Sequence, residues 1–271
     1  MAVAAAAAGG AAITEDVVQG AVAVELVHLG SLYHDDVMDD ADTRHGVPSV
    51  NARWGNLVAI VAGDFLLARA SEIAASLGTE VAALLAATIG RLCEGQVAEV
   101  QTAFDAGRTE SAYLAAIAGK TASLYSAACR IGALTAGLDR PLVDCLTSFG
   151  HAFGMAFQVR DDVLDIVGSE ASLGKPAGHD MVEGVYTLPV IRTLGLPVAG
   201  VELRDLLGKP LDEPARNKAR SIVRSTDSVS TSLALARRYA DEAAATLDRL
   251  SGPVAESLST LAHRLLDGIA A

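Results

Sequence analysis

The chain has few aromatic residues and no excess of positive charge. Aromatic residues make up 4% of its 271 positions, and the Thr-, Tyr-, Phe- and Trp-rich runs typical of strands are missing. The formal net charge of −12 argues against nucleic-acid binding, which needs a basic face. It also argues against binding an anionic substrate without a metal. The sequence therefore predicts neither a β-rich protein nor a nucleic-acid partner.

Cysteine and long apolar runs are scarce as well. Cys93, Cys129 and Cys145 are an odd number of thiols without metal-type spacing, so we expect reduced core thiols of a cytoplasmic protein. No apolar stretch reaches about 18 residues without a charge, which argues against a transmembrane helix. No basic segment precedes the small apolar residues at the N-terminus, which argues against a signal peptide.

What the chain does have is helix-forming apolar residues. Hydrophobic residues make up 51% of the sequence, much of it Ala, Leu and Val, and apolar positions recur at helical spacing nearly everywhere. We predict one all-α domain over residues 1–271, a helix bundle whose central helices are apolar all round and therefore buried. The predicted helices cover residues 17–32, 56–77, 79–100, 111–135, 140–159, 187–196, 202–207, 213 onward, 228–250 and 253–270, with a loop and short helix over 168–184.

Two acidic pentads carry the chemistry. Residues 35–39 (the first pentad) and residues 161–165 (the second pentad) both spell Asp-Asp-x-x-Asp. On a helix, the first and last Asp of a pentad lie about 40° apart around the axis, and such carboxylates repel unless a cation lies between them. One pentad alone would more simply be a solvated helix end. Both copies lie in apolar sequence, where unpaired carboxylates are costly, so we predict a Mg²⁺ cluster that binds a diphosphate.

The sequence around the pentads resembles the trans-isoprenyl (polyprenyl) diphosphate synthase family. Residues 25–56 are similar to the family's first aspartate-rich region, and residues 62–67 are similar to its next helix. Further family motifs follow in the same order: Gly95-Gln96, Lys120-Thr121, residues 157–162, Gly174-Lys175-Pro176 and Thr187-Leu188-Pro189. The resemblance covers roughly residues 25–189.

The resemblance implies a fold and a reaction. The family fold is a bundle of antiparallel helices around a deep central cavity, usually in a homodimer. The implied reaction is the head-to-tail condensation of isopentenyl diphosphate with an allylic diphosphate, with three Mg²⁺ per active site. A diphosphate leaves only when its charge is neutralised, and the allylic cation needs a dry, apolar pocket.

The resemblance also implies roles by position. Asp35 and Asp39 would bridge two Mg²⁺, Asp161 would hold a third, and the other pentad aspartates would lie close by. The implied metal ligands are Asp35, Asp36, Asp39, Asp161, Asp162 and Asp165. The implied substrate-binding residues are Arg44, His45, Lys120, Thr121, Gln158 and Lys175. The residues implied in catalysis are Asp35, Asp36, Asp39, Lys120, Gln158 and Asp161.

Three departures from the family pattern bear on activity. His45 stands where the family usually has a second Arg that helps to bind isopentenyl diphosphate, and it lacks the guanidinium fork suited to phosphate. Val185 stands where the family often has Lys. The family's upstream Gly-Lys-x-x-Arg-Pro motif has no counterpart, so we expect a domain that lacks the family's N-terminal helices.

Product length in this family depends on the residues one or two turns before the first pentad, which form the cavity floor. Here these positions are Val27, Gly30 and Ser31. Their small side chains would let the growing chain pass, so we predict a product of twenty carbons or more.

Two alternatives to an active prenyltransferase remain open. The chain could be a catalytically weak or regulatory subunit of a heteromeric synthase, or a degenerate paralogue, which His45, Val185 and the missing upstream motif favour. It could also be a terpene cyclase, but the second Asp-Asp-x-x-Asp argues against that class.

Overall fold

The computed structural model describes residues 1–44, 46–169 and 176–269, and these residues are mainly helical. The elements are α1 (Ala2–Ala8), α2 (Glu15–Met38), β1 (Thr43–Arg44), β2 (Val47–Pro48), α3 (Val50–Trp54), α4 (Asn56–Ser76), α5 (Thr79–Gln101), α6 (Glu110–Ile117), a π-helical turn (Ala118–Ala122), α7 (Ser123–Thr135), α8 (Arg140–Val167), α9 (His179–Val182), α10 (Leu188–Leu194), α11 (Ala199–Arg204), α12 (Glu213–Arg224), α13 (Ser228–Thr246), a 3₁₀ turn (Leu247–Arg249) and α14 (Pro253–Arg264). The prediction of an all-α protein is confirmed.

Most predicted helix starts lie within two residues of the observed ones, whereas the helix predicted over residues 202–207 lies at Ala199–Arg204 and the one predicted over 253–270 ends at Arg264. Thr14 caps the start of α2 by accepting a hydrogen bond from the Val17 amide, and Asp212 does the same for α12; both are side-chain oxygens of the type preferred at helix starts. The predicted continuous helix over residues 111–135 is wrong, because the π-helical turn interrupts it. The two-residue strands, paired antiparallel with Arg44 opposite Val47, were not predicted.

The chain divides into two compact units. One comprises Met1–Arg91, Ser123–Gly150 and Thr246–Leu258, and the other comprises Leu92–Ala122, His151–Ala245 and Ser259–Ala271. We call them the first and second units. The organisation as a single domain stays a prediction.

In the first unit, α2 packs along α4, and both α1 and α2 pack on α7. The α2–α4 crossing is close because glycines meet there. A Cβ atom on Gly30 would lie 3.1 Å from the carbonyl oxygen of Gly63, and a Cβ on Gly63 would lie 2.3 Å from the ring of His34. His34 bridges the same two helices, with its Nε2 3.1 Å from the carbonyl oxygen of Ile60. Small residues thus set the distance between the helix that carries the first pentad and its neighbour.

The outer face of α4 corrects the expectation that apolar helices are buried. Leu57, Val61 and Phe65 are 76%, 58% and 68% exposed. They recur at four-residue spacing, so they lie on one face of the helix. We call these three residues the α4 stripe. With Tyr33 and neighbouring α4 residues, the stripe lines an apolar groove of about 640 Å³.

The second unit has a continuous hydrophobic core. Tyr113 of α6, Val159 and Val163 of α8, and Met181 and Tyr186 are all fully buried in it. Arg192 of α10 donates two hydrogen bonds to Glu110 at the start of α6. The core therefore fixes α8, which carries the second pentad, against α6.

The three cysteines differ in burial. All three thiols are free; Cys129 is buried, Cys145 is half-buried and Cys93 is exposed, so the expectation of core thiols is wrong for Cys93.

Among the described helices, α5 is long and apolar enough to cross a membrane by length and composition alone. Core helices of soluble proteins meet the same criterion, so this is weak evidence, and the predicted absence of a transmembrane segment stays a prediction.

Candidate active site

The first pentad occupies the last turn of α2. Asp35 is half-buried and Asp39, which follows the last helical residue, is exposed; the Asp39 amide donates to the carbonyl oxygen of Asp35 at 2.9 Å. A helix C-terminus carries a partial negative charge, which disfavours carboxylates and favours a cation. The end of α2 is therefore a more favourable place for aspartates that share a bound metal ion than for aspartates without one.

Asp36 has a different environment from its two neighbours. It is 2% exposed, and its Oδ1 accepts hydrogen bonds from Arg44 of β1, with the Nε at 2.9 Å. The Asn51 side-chain amide donates to the carbonyl oxygens of Asp36 and Ala41, each at 3.1 Å. Arg44, predicted to contact the diphosphate, instead pairs here with Asp36, and its substrate role stays a prediction.

The three predicted floor residues differ in their surroundings. Val27 is fully buried and Gly30 lies against α4. Ser31 is half-buried and its hydroxyl donates to the carbonyl oxygen of His28 at 2.8 Å. Ser31 is thus the floor position at which a larger side chain meets least resistance, and the role of all three in chain length stays a prediction.

The second pentad lies in the last two turns of α8. Asp161 is exposed, whereas Asp162 and Asp165 are each 4% exposed. The Asp165 carboxylate accepts from the amides of His179 and Asp180, at 3.2 and 3.4 Å. Asp165 therefore holds the start of α9 close to the end of α8.

The π-helical turn carries Lys120 and Thr121. A Cβ atom on Gly95 of α5 would lie only 2.6 Å from the Lys120 amide nitrogen, so glycine at this position lets the turn lie against α5. One helical turn further along α5, Glu99 accepts a hydrogen bond from the Lys120 ammonium at 2.6 Å. Single π-helical turns inside helices are frequent at functional sites, and this one presents the Lys-Thr pair.

A chain of hydrogen bonds connects this turn to the second pentad. Thr121 donates to the Gln158 amide oxygen at 2.6 Å, and the Gln158 amide nitrogen donates to Asp162 Oδ1 at 2.8 Å. The Tyr113 hydroxyl donates to the other Asp162 oxygen. Burial raises the pKa of Asp162 to about 7, against the opposing effect of the Tyr113 and Gln158 hydrogen bonds. Burial, with the neighbouring Asp162 charge, also raises the pKa of Tyr113.

Each pentad by itself offers oxygen ligands of the kind that Mg²⁺ takes. In the first unit these are the carboxylates of Asp35 and Asp39 at the end of α2, and in the second unit the exposed carboxylate of Asp161 near the end of α8. Within the described ranges, no three acidic, histidine or cysteine side chains converge into a closed ligand set. Mg²⁺ is usually held by one or two carboxylates together with substrate phosphates and water, and that mode of binding needs no closed protein cage.

Known proteins are similar to this chain in sequence and in fold. The model of the polyprenyl synthetase family matches residues 1–223. The chain belongs to the polyprenyl synthetase family. Heptaprenyl diphosphate synthase component 2 of Geobacillus stearothermophilus is 42% identical over 231 residues, which cover 85% of this chain and 72% of that protein. Nonaprenyl diphosphate synthase of Mycobacterium tuberculosis is 40% identical over 230 residues, which cover 83% and 68%.

A solved structure agrees. The crystal structure of a polyprenyl synthase from Caulobacter crescentus, complexed with calcium and isoprenyl diphosphate, superposes with a TM-score of 0.93 at 33% identity. The match covers 99% of this chain and 83% of that chain. The family assignment and the all-α isoprenoid synthase fold are therefore confirmed.

The structure describes one of three notable positions of this polyprenyl synthetase family member, which are His45, Lys175 and Val185. His45 and Lys175 lie outside the described residues. Val185 is half-buried, and its amide donates to the carbonyl oxygen of Asp180 at 2.8 Å. The structure thus places an aliphatic side chain where the family often has a cation.

Sequence reasoning missed two residues of the site. Glu99 lies one turn after Gly95 on α5, and that spacing could have pointed to it. Tyr113 lies 49 positions from Asp162 and belongs to no motif, so only the tertiary structure brings it to the second pentad.

Proposed function

We propose that the chain condenses isopentenyl diphosphate with an allylic diphosphate to give a polyprenyl diphosphate. The observation that carries this proposal is the Lys120-Thr121 turn packed beside Gln158, one turn before the second pentad, in a chain whose two pentads are intact. Family membership supports it, because the relatives are named as prenyl diphosphate synthases. These enzymes are prenyltransferases.

The proposed reaction begins with heterolysis of the allylic carbon–oxygen bond. The bonding electrons leave with the diphosphate, and the positive charge stays on the allylic carbons. The double bond of isopentenyl diphosphate then forms the new carbon–carbon bond, and a proton passes from the adjacent carbon to the released diphosphate. Lys120 stabilises the departing charge, whereas Thr121 and Gln158 lie near the reacting carbons.

We infer that the pentad aspartates have two different roles. Asp35, Asp39 and Asp161 would hold Mg²⁺, proposed as three ions per site, which supplies the neutralisation of the diphosphate charge. Asp36, Asp162 and Asp165 already accept hydrogen bonds from the protein, so we propose that they support the ligands. The calcium named in the Caulobacter crescentus complex supports a divalent cation in that family fold.

The direct test is product analysis with radiolabelled isopentenyl diphosphate, Mg²⁺ and allylic diphosphates of ten, fifteen and twenty carbons. We expect elongation that stops when a chelator is added and that falls by about a hundredfold or more in Asp35→Ala. Asp16→Ala, which removes an exposed aspartate from the first turn of α2, is the matched control. Elongation by Asp35→Ala at the parent rate would contradict the proposed metal role.

Two observations favour a second candidate, a weakly active subunit of a heteromeric enzyme. Val185 removes a cation that the family often has, and one relative is named component 2 of its synthase. If the chain binds an allylic diphosphate with Mg²⁺ but does not elongate it, Val185→Lys should restore activity. Full elongation by the unmodified chain would contradict the subunit proposal.

Product length follows from the proposed floor. We propose a product of twenty carbons or more, in keeping with the hepta- and nonaprenyl relatives. Ser31→Phe should shorten the product, because an aromatic ring one turn before Asp35 would block the growing chain. Thin-layer separation of the dephosphorylated products measures this, and an unchanged product ladder would exclude Ser31 from the floor.

The oligomer and the location are proposed on separate grounds. The α4 stripe exposes three large apolar side chains on one helix face, and such contiguous patches mark interaction sites. We propose that a second copy of the chain covers it, in keeping with the homodimer that the family resemblance implies. The cytoplasmic location stays a prediction.

A further inference from the structure

We propose that Tyr113 is a positioning residue for prenyl transfer, because it fixes, through Asp162, the direction in which the Gln158 amide faces Thr121. This inference rests on the proposed reaction and assigns Asp162 an orienting role in place of a metal-binding one. The sequence motifs predict neither the positioning role of Tyr113, which belongs to no motif, nor the orienting role of Asp162.

The geometry is a continuous chain of hydrogen bonds within the second unit. Tyr113 is 1% exposed and Asp162 is 4% exposed. The Tyr113 hydroxyl donates to Asp162 Oδ2, Gln158 Nε2 donates to Asp162 Oδ1 at 2.8 Å, and Thr121 Oγ1 donates to Gln158 Oε1 at 2.6 Å. Three separate elements, α6, α8 and the π-helical turn, contribute to it.

The chemistry of the groups sets the direction of each bond. When Asp162 is ionised, both of its oxygens can only accept: Oδ2 accepts from the Tyr113 hydroxyl, and Oδ1 accepts from Gln158, which must turn its NH₂ group toward it. The amide oxygen of Gln158 then faces Thr121 and can only accept, so the single hydroxyl hydrogen of Thr121 is used in this bond. A flipped amide would place two acceptor oxygens against each other. Thr121 is thereby left with lone pairs and no hydrogen, an arrangement suited to positive charge on carbon.

Tyr113 holds this arrangement because its ring is packed in the core of the second unit. The ring belongs to the core cluster that also contains Val159 and Val163, which flank Asp162 on α8. Without the hydroxyl, the buried Asp162 Oδ2 would lose a donor, and a buried acceptor without a partner is costly. The carboxylate would then rotate toward another donor, and the Gln158 amide would lose the partner that orients it.

The test is Tyr113→Phe in the full chain. We expect the single-turnover rate constant for elongation to fall by about fivefold to tenfold, as for the loss of one hydrogen bond. Binding of a non-ionising allylic thiolodiphosphate and the half-saturating Mg²⁺ concentration should stay unchanged. Loss of binding, or an unchanged rate constant, would overturn the proposal.

The matched control is Tyr186→Phe. Tyr186 is also fully buried in the second unit, and its hydroxyl accepts from the Gly208 amide at 2.7 Å. This variant should lose stability as Tyr113→Phe does, yet keep the parent rate constant. An equal loss of rate in both variants would mean that Tyr113 acts only through stability.

Asp162 supplies the second variant. In Asp162→Asn the side-chain oxygen still accepts from Gln158, and the new NH₂ group can donate to the Tyr113 oxygen. The rate constant of this variant should therefore stay within about threefold of the parent. In Asp162→Ala both partners are lost, and the rate constant should fall by about tenfold. If Tyr113→Phe does not fold, equal rate constants of Asp162→Asn and Asp162→Ala would overturn the proposal, because the Gln158 amide would then need no acceptor at this position for Tyr113 to fix. A raised Mg²⁺ requirement in Asp162→Asn would show that Asp162 is a metal ligand and would overturn the proposal.

The proposed reaction and the orienting role fail differently. A parent chain that elongates no allylic diphosphate overturns both. A parent chain that elongates, with Tyr113→Phe at the same rate constant, overturns the orienting role alone.

Discussion

At the scale of single residues, burial separates the pentad aspartates into two groups. Asp36, Asp162 and Asp165 are buried, and their carboxylates accept hydrogen bonds from the protein. Asp35 is half-buried, and Asp39 and Asp161 are exposed. A buried carboxylate with satisfied oxygens has little capacity left for a hydrated cation. The repeated motif therefore combines buried, hydrogen-bonded aspartates with more accessible ones, which are the proposed ligand positions.

The Arg44–Asp36 pair should stabilise the folded chain, and removing Arg44 tests this. Because Asp36 is 2% exposed, removing its partner leaves a buried charge without compensation. We expect Arg44→Met to lower the free energy of unfolding by about 3 kcal/mol, measured by urea denaturation. Arg91→Met, at an exposed position of α5, should change it by less than about 0.5 kcal/mol. Equal stabilities of the two variants would contradict this role for Arg44.

The thiols should differ in reactivity. Burial raises the pKa of Cys129 to about 12, whereas Cys93 is exposed. At pH 8 iodoacetamide should label Cys93 in the folded chain, and Cys129 only after unfolding. Mass spectrometry of the labelled peptides reads this out; labelling of Cys129 at the rate of Cys93 would contradict its burial.

The same shift gives a pH dependence with a definite sign. The pKa of the Cys129 thiol is near 9.0 in the unfolded chain and about 12 in the folded one. Between these values the folded state binds more protons, so the free energy of unfolding should fall as pH rises above about 9. Below pH 9 the contribution of this thiol is fully present. Cys129→Ala should remove this part of the dependence.

At the scale of elements, the contact between α5 and the π-helical turn places Lys120 and Thr121. Gly95 has no side chain at the contact, and Glu99 reaches the Lys120 ammonium one helical turn later. Glycine within a helix costs about 1 kcal/mol relative to alanine. We infer that this cost is offset by the close approach that positions Lys120 and Thr121, the two residues of the turn proposed to bind substrate.

Two glycines of α5 offer a matched test of that contact. Gly95→Ala would place a methyl group 2.6 Å from the Lys120 amide nitrogen, which should destabilise the chain by about 2 kcal/mol and reduce kcat. Gly90 has open space around its Cβ position, so Gly90→Ala should stabilise α5 by up to about 1 kcal/mol. Thermal unfolding and elongation assays measure both. A Gly95→Ala chain with parent stability and kcat would show that the close approach is not required.

At the scale of the whole molecule, the α4 stripe is an exposed apolar surface of the first unit. Leu57, Val61 and Phe65 are each more than half exposed. Helical periodicity alone reports that a face is apolar, and it cannot say whether the same chain or another copy covers that face.

The proposed homodimer predicts the effect of a charge in the stripe. Phe65→Glu should convert the dimer to monomers, because burying an unpaired carboxylate at an interface is costly. Val198→Glu, at a position 80% exposed on the second unit, should leave the dimer intact. Multi-angle light scattering measures the mass, and a parent chain of 27.8 kDa at micromolar concentration would contradict the homodimer.

Much of the molecule follows from the sequence by itself. Helical periodicity and capping residues such as Asp212 predict the all-α class and most helix starts, because these signals act within one or two turns. The spacing within each pentad predicts paired carboxylates for the same reason. The family motifs add the reaction class, since they stand in a fixed order along the chain.

The tertiary structure alone decided the rest. The partners that orient the site, Tyr113 for Asp162 and Glu99 for Lys120, are 49 and 21 positions away along the chain. The π-helical turn depends on a glycine of another helix. Hydrogen bonds between distant segments form only when the core has placed those segments together, and the spacing of residues along one helix carries no record of them.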